Sequence, residues 1–201
     1  MTARLTLIAH AATEAQRRAA FPLDEPIAER EIAKIDALNW TAPRANRVLS
    51  APELRARQTS HALRLKPTLS EELRDCGYGT WSGRAMDEVQ VEDPEGMIAW
   101  LTDPTSAPHG GESIANLITR VGSWMEEQRE VAHTIAVTHP SVIRGAIVHA
   151  LQLPLATFWR IDVAPLSLTD LRFNGRSWSL RCAGCSLRSS LSVQDRTASD
   201  E

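Results

Sequence analysis

Two of the six histidines, His10 and His139, each close a compact apolar run and precede a segment with loop or helix-start character. An imidazole that titrates near neutrality can serve as nucleophile, general base or metal ligand. In open α/β sheets ligands bind at the carboxyl ends of the strands, where helix N-termini present N–H groups and positive potential to anions. Two histidines at two such ends would face one crevice if their strands were neighbours. Spacing alone does not establish that adjacency, and a single strand-end histidine is more often structural than catalytic. Cys182 and Cys185 form a C-x-x-C pair, and Cys76 makes three cysteines in all. A zinc site would need two further ligands near the pair, and none stands there. An odd count in a chain of this length speaks against a disulfide framework, so the pair is read as packing or loop thiols.

Hydrophobic periodicity supplies the elements that would carry these side chains. Residues 5–9 read as a buried strand, 29–38 as a helix with Ile32, Ile35 and Leu38 at helical spacing, and 48–50 as a second strand ended by Pro52. Residues 53–65 read as an arginine-rich helix, and 111–131 as the clearest helix, with Ile114, Leu117, Ile118, Val121, Trp124 and Met125 along one face. A strand over 134–138 ends at His139, and a helix follows over 142–151, with Pro140 suited to a first turn. Residues 166–173 and 177–182 flank Asn174-Gly175, a hairpin signal. Alternating strands and helices predict a three-layer α/β/α domain with a mostly parallel central sheet. The predicted domain spans 1–185, and the polar residues 186–201 are expected to form a flexible tail.

The chain of 201 residues suits one domain with a substantial core. Its 22 basic and 25 acidic side chains leave a formal charge of −3, which gives no reason to expect nucleic acid or an anionic membrane as partner. No apolar run approaches the roughly 20 residues that span a bilayer, and a cytoplasmic address is expected. The six tryptophans are read as core or interface residues, and with the C-terminal hairpin they are compatible with a homodimer.

Five blocks in order resemble the histidine phosphatase superfamily, the phosphoglycerate mutase-like proteins. Leu7-Ile8-Ala9-His10-Ala11-Ala12-Thr13 is similar to its Arg-His-Gly signature, in degraded form. Ser50-Ala51-Pro52-Glu53-Leu54-Arg55-Ala56-Arg57-Gln58-Thr59 keeps the Arg-Ala-x-x-Thr core of the second block. The third block is matched by Leu73-Arg74-Asp75-Cys76-Gly77-Tyr78-Gly79-Thr80-Trp81-Ser82-Gly83, the fourth by His109-Gly110-Gly111-Glu112-Ser113, and the last by Val137-Thr138-His139-Pro140-Ser141-Val142-Ile143-Arg144. The resemblance implies hydrolysis of a small phosphorylated metabolite. His10 would attack phosphorus to give a phosphohistidine, Arg55 would grip phosphoryl oxygens, and His139 would stabilise the charge that builds on them. Asp75 would protonate the leaving alkoxide, which needs a raised pKa. No metal or cofactor is required.

The departures bear on activity. Ala9 replaces an arginine that grips the phosphate, and losing one such donor costs about 2.7–4 kcal/mol of barrier. Ala11 replaces a glycine, at a cost of about 1 kcal/mol only if that position needs a positive φ. Gln16 falls where an asparagine donates to the phosphate, and Arg17 or Arg18 is placed to swing in as a substitute cation. His109 could reach the pocket from its loop. His61, His133 and His149 are assigned no role. A second function class therefore stands beside the hydrolase: a degenerate member that binds a phosphorylated or anionic ligand with little or no turnover. A mutase is the third, disfavoured because the stretch from Asp75 to His139 is short for one. The lowered cation count points to a substrate less charged than a bisphosphate.

Overall fold

The computed structural model describes residues 2–187. Strand β1 (Ala3–Ala9) is buried at every position but one, as a central strand covered on both faces must be. It leads into the short helix α1 (Glu14–Arg17). Helix α2 (Glu29–Ala37), strand β2 (Arg47–Ser50), helix α3 (Leu54–Ala62) and the two-residue strand β3 (Thr68–Leu69) follow. Helices α4 (Met86–Glu92), α5 (Pro94–Thr102) and α6 (Ile114–Glu127) precede strand β4 (His133–Thr138), which is buried throughout. Helix α7 (Pro140–Ala150) and the antiparallel pair β5 (Ser167–Phe173) and β6 (Trp178–Ser186) complete the order.

The six strands form one sheet in the order β3-β2-β4-β1-β5-β6. The first four run parallel, and β5 runs antiparallel to its neighbours β1 and β6, so the expected α/β architecture and mostly parallel sheet are present. The placement of β4 directly beside β1 decides the rest. Ala9 lies opposite Thr138, and the His10 N–H donates to the Thr138 carbonyl at 2.9 Å, so both chains leave the sheet at one level. Helices α6 and α7 pack over this centre, with Leu117, Val121, Met125, Ile143 and Ala146 fully buried.

Three expectations change. Residues 86–102 carry two helices that periodicity did not predict, and the long helix starts at Ile114, where Ser113 caps it, rather than at Gly111. Strand β6 runs through Ser186 and Leu187 is buried, because the hairpin partner of Ser167 is Ser186; the folded part therefore passes the expected boundary at 185. The remainder of the expected tail, 188–201, lies outside the described residues. Cys182 and Cys185 lie close together on β6, with their Cα atoms 6.4 Å apart on either side of Gly184, which sits at φ +67°. Among the described residues no helix is long and apolar enough to cross a membrane.

Candidate active site

Adjacency of β1 and β4 sets the His10 and His139 rings edge to face, 5.1 Å between centroids. The first ring is fixed by its own backbone: Nδ1 lies 2.8 Å from the Ala11 carbonyl. A carbonyl oxygen only accepts, so Nδ1 carries the hydrogen and Nε2 keeps a free lone pair. Burial, the neighbouring His139 and Arg55 hold the His10 pKa down at about 3, so the ring is neutral at physiological pH. Ala11 is absent from the positive-φ residues, so the alanine there carries no backbone strain. Its N–H donates to the Thr59 hydroxyl at 2.9 Å, and that hydroxyl donates to the Arg55 carbonyl at 2.7 Å. The Thr of Arg-Ala-x-x-Thr thereby pins the first turn of α3 against the loop bearing His10.

Arg55 is buried, with Nη1 on the Leu23 carbonyl at 2.9 Å and Nη2 on Asp75 Oδ2 at 2.6 Å. Its Nε is buried without a partner. Asp75 also accepts from the Ser141 hydroxyl at 2.5 Å and the Cys76 N–H at 2.8 Å. Burial alone would raise its pKa, but His139, Arg55 and the Ser141 hydroxyl overcome that and hold the carboxyl well below the usual carboxylate range. The raised value that an acid role requires is thus not found in the open site, because the donors around Asp75 favour its charged form. His139 is fully buried, its Nε2 at 2.8 Å from Glu53 Oε2 and its Nδ1 at 3.4 Å from Asp75 Oδ2.

A cleft of about 270 Å³ opens over these groups. His10, Arg55, Asp75 and Gln16 line it, as expected, together with Ser141 and Arg144. Gln16 Oε1 accepts from the Thr13 N–H at 3.3 Å, which leaves the amide N–H2 as the donor end. His139 is not among the lining residues and sits behind His10 and Asp75. Two other residues expected at the site lie outside the cleft lining. Arg17 is exposed and pairs with Glu14 at 3.1 Å on the outer side of α1, and neither it nor Arg18 lines the cleft. His109 is buried beneath it: Nδ1 accepts from the Gly111 N–H at 3.0 Å and the ring packs 5.0 Å from Trp81. Ala9 is fully buried in the core, so its position is closed rather than a space awaiting a cation.

Sequence reasoning missed Glu53, Ser141 and Arg144, although each lay inside a quoted block. Ser141 and Arg144 share a face of α7 at i and i+3, a spacing that could have paired them. Arg144 donates from Nε to the Ile161 carbonyl at 2.7 Å and has no carboxylate partner among the described residues. Nothing in spacing marked Glu53, since an acidic residue before a helix ordinarily reads as favourable to the dipole. Trp100 and Trp159, expected in core or interface, line the cleft 4.3 Å apart with Phe21, Tyr78 and Phe158. His133 bonds Thr6 and Arg44, and His149 pairs with Glu126, so neither enters the cleft.

The family model of the histidine phosphatase superfamily (branch 1) matches residues 5–186. The bifunctional protein Rv2228c of Mycobacterium tuberculosis is 30% identical over 139 residues, covering 65% of this chain but only 38% of that protein. Phosphoserine phosphatase 1 of Hydrogenobacter thermophilus is 27% identical over 169 residues, covering 78% of this chain and 80% of that one. Among solved structures, the alpha-ribazole phosphatase of Shigella flexneri superposes with a TM-score of 0.80 at 23% identity, over 94% of this chain and 99% of that chain. Mycobacterial glucosyl-3-phosphoglycerate phosphatase superposes at 0.76 with 22% identity, over 92% of this chain and all of that one. At such identities the two structures establish likeness of fold.

Proposed function

This chain belongs to the histidine phosphatase superfamily (branch 1), and on that premise we propose that it hydrolyses phosphomonoesters of small metabolites through a phosphohistidine on His10. The observation that carries the reading is the His10 ring itself: neutral, locked with Nδ1–H on the Ala11 carbonyl, and presenting Nε2 to a cleft that also holds Arg55. Nε2 attacks phosphorus in line as the ester P–O bond breaks. The buried, unpartnered Arg55 Nε and the Gln16 amide donate to the phosphoryl oxygens. A bound dianion competes with Asp75 for Arg55 and sets a like charge beside it, and both effects raise the proton affinity of that carboxyl. Asp75 then gives its proton to the leaving alkoxide. In the second step water attacks phosphorus, the P–N bond breaks and Asp75 takes the water's proton.

Relatives named as phosphatases of phosphoserine and glucosyl-3-phosphoglycerate support a small phosphorylated substrate. Among the described residues Arg144 is the one arginine or lysine lining the cleft besides Arg55, which favours a substrate less charged than a bisphosphate. The apolar rings of Phe21, Trp100, Phe158 and Trp159 suit a leaving group with an apolar body. The second reading, an anion binder without turnover, is favoured by one observation: the position of the lost arginine is packed shut at Ala9. Incubation with p-nitrophenyl phosphate, wild type beside His10→Ala, separates the two. Hydrolysis that disappears with His10→Ala is expected. Equal phosphate release from both proteins would overturn the role of His10, and none from either across sugar, glycerate and nucleotide esters would favour the binder.

A further inference from the structure

Two imidazoles sit side by side at almost the same depth, His10 at 2% exposure and His139 at 0%. Their surroundings differ in kind. The ring of His10 meets a backbone carbonyl, whereas that of His139 meets a carboxylate at Nε2, Glu53 Oε2 at 2.8 Å. The other oxygen of Glu53 accepts from the Asp75 N–H at 2.9 Å, so this one side chain spans the second histidine and the backbone of the third block. The His139 Nδ1 is buried and unpartnered, 3.4 Å from Asp75 Oδ2. Glu53 itself does not line the cleft. Its links to the cleft run through His139 and the backbone of Asp75.

We propose that Glu53 is a positioning residue whose carboxylate holds His139 as an imidazolium with Nδ1–H turned to the site. The charged groups facing His139 come from three elements: Glu53 and Arg55 at the start of α3, Asp75 in the loop after Leu73, and His10 at the end of β1. Arg55 and His10 oppose a charge on His139, whereas two carboxylates favour it, Asp75 at 3.4 Å from Nδ1 and Glu53 at 2.8 Å from Nε2. Of the two, Glu53 makes the closer contact. Burial would raise the Glu53 pKa, but the hydrogen bond and charge of His139 bring it below its ordinary value, which agrees with an ion pair. A cation behind His10 steadies the charge that gathers on the phosphoryl group during transfer.

The turnover part of this inference rests on the phosphomonoesterase reading; the protonation part does not. The test compares wild type with Glu53→Gln, which keeps shape and one acceptor while removing the charge. Ring-proton NMR of His139 should report loss of the imidazolium charge at a pH lower by about one unit or more in Glu53→Gln. With p-nitrophenyl phosphate, kcat of Glu53→Gln at neutral pH should fall about tenfold or more and recover toward wild type as the pH is lowered. A merely structural role gives a loss that is the same at every pH. Unchanged His139 titration, or a pH-independent loss, would overturn the proposal. If Glu53→Gln does not fold, the ring-proton titration of His139 in wild type decides instead: a charged ring at neutral pH is expected, and a neutral one would overturn the proposal. Absence of His10-dependent turnover in wild type would count against the phosphatase reading while the NMR comparison still decides the role of Glu53.

Discussion

His10 links chemistry to stability through one property, its neutrality. Burial holds its pKa near 3 in the folded chain, against 6.5 for an ordinary histidine. Between those values the unfolded chain binds a proton that the folded chain does not, so stability rises with pH across that window and is complete above it. At pH 5 the single site costs about 2 kcal/mol, from 1.5 units at about 1.36 kcal/mol each. Urea unfolding at pH 7 and pH 5 should therefore show wild type losing about 2 kcal/mol more than His10→Asn. Equal losses would mean that the ring carries a proton in the folded state, and a protonated Nε2 could not attack phosphorus. The neutral His10 ring is thus maintained at the expense of acid tolerance.

One level up, the loop carrying Asp75 is held by a crossing of two glycine-bearing segments. A Cβ at Gly111 would meet the Gly77 carbonyl oxygen at 2.0 Å, and one at Gly79, which sits at φ +47°, would meet the His109 carbonyl oxygen at 2.0 Å. Neither obstacle is a flexible side chain, so Gly111→Ala should cost about 1–3 kcal/mol or more. It should also lower kcat by shifting Asp75 and Tyr78; thermal unfolding and turnover of the same variant check both. A variant as stable and active as wild type would show that this crossing does not set the site. The two glycines were visible in the sequence as parts of quoted blocks, but their mutual approach was not, since 32 positions separate them. Strands β1 and β4 and helix α6 could be read from their apolar spacing because burial imposes it. Helices α4 and α5 could not, being short and each burying few side chains. The start of α5 did carry a usable signal, Asp93 capping Gly96 with Pro94 in the first turn. His10, Arg55 and His139 were found from motifs. Glu53 and Arg144 were not, because their significance arises only from what the fold sets beside them, and Arg17 and His109 were misplaced because loop geometry is not encoded in residue type.

Taken together, the donors of the cleft already hold a carboxylate, that of Asp75. Asp75 occupies the donors of Arg55 and Ser141 while the cleft is open, and an incoming dianion has to share them. A ligand that binds only the folded chain stabilises it by RT ln(1 + [L]/Kd), about 2.7 kcal/mol at a hundredfold excess over Kd. For a domain of this size that raises Tm by roughly 5–10 °C. Sulfate suits the test because it stays a dianion from pH 6 to pH 8. If sharing Arg55 drives a proton onto Asp75, sulfate binds with proton uptake, and its stabilising effect grows as the pH falls. The sign follows from linkage: a group whose proton affinity rises on binding makes binding tighter toward acid. Scanning calorimetry with sulfate at pH 8, 7 and 6 should show that growth in wild type. Asp75→Asn, which has no proton to gain, should show a flat response, and Arg55→Ala should lose the sulfate effect. A wild-type response that is flat, or that shrinks toward pH 6, would mean Asp75 stays ionised beside the bound anion. The proton for the leaving group would then have to come from elsewhere, with the His139 that Glu53 holds as the nearest source.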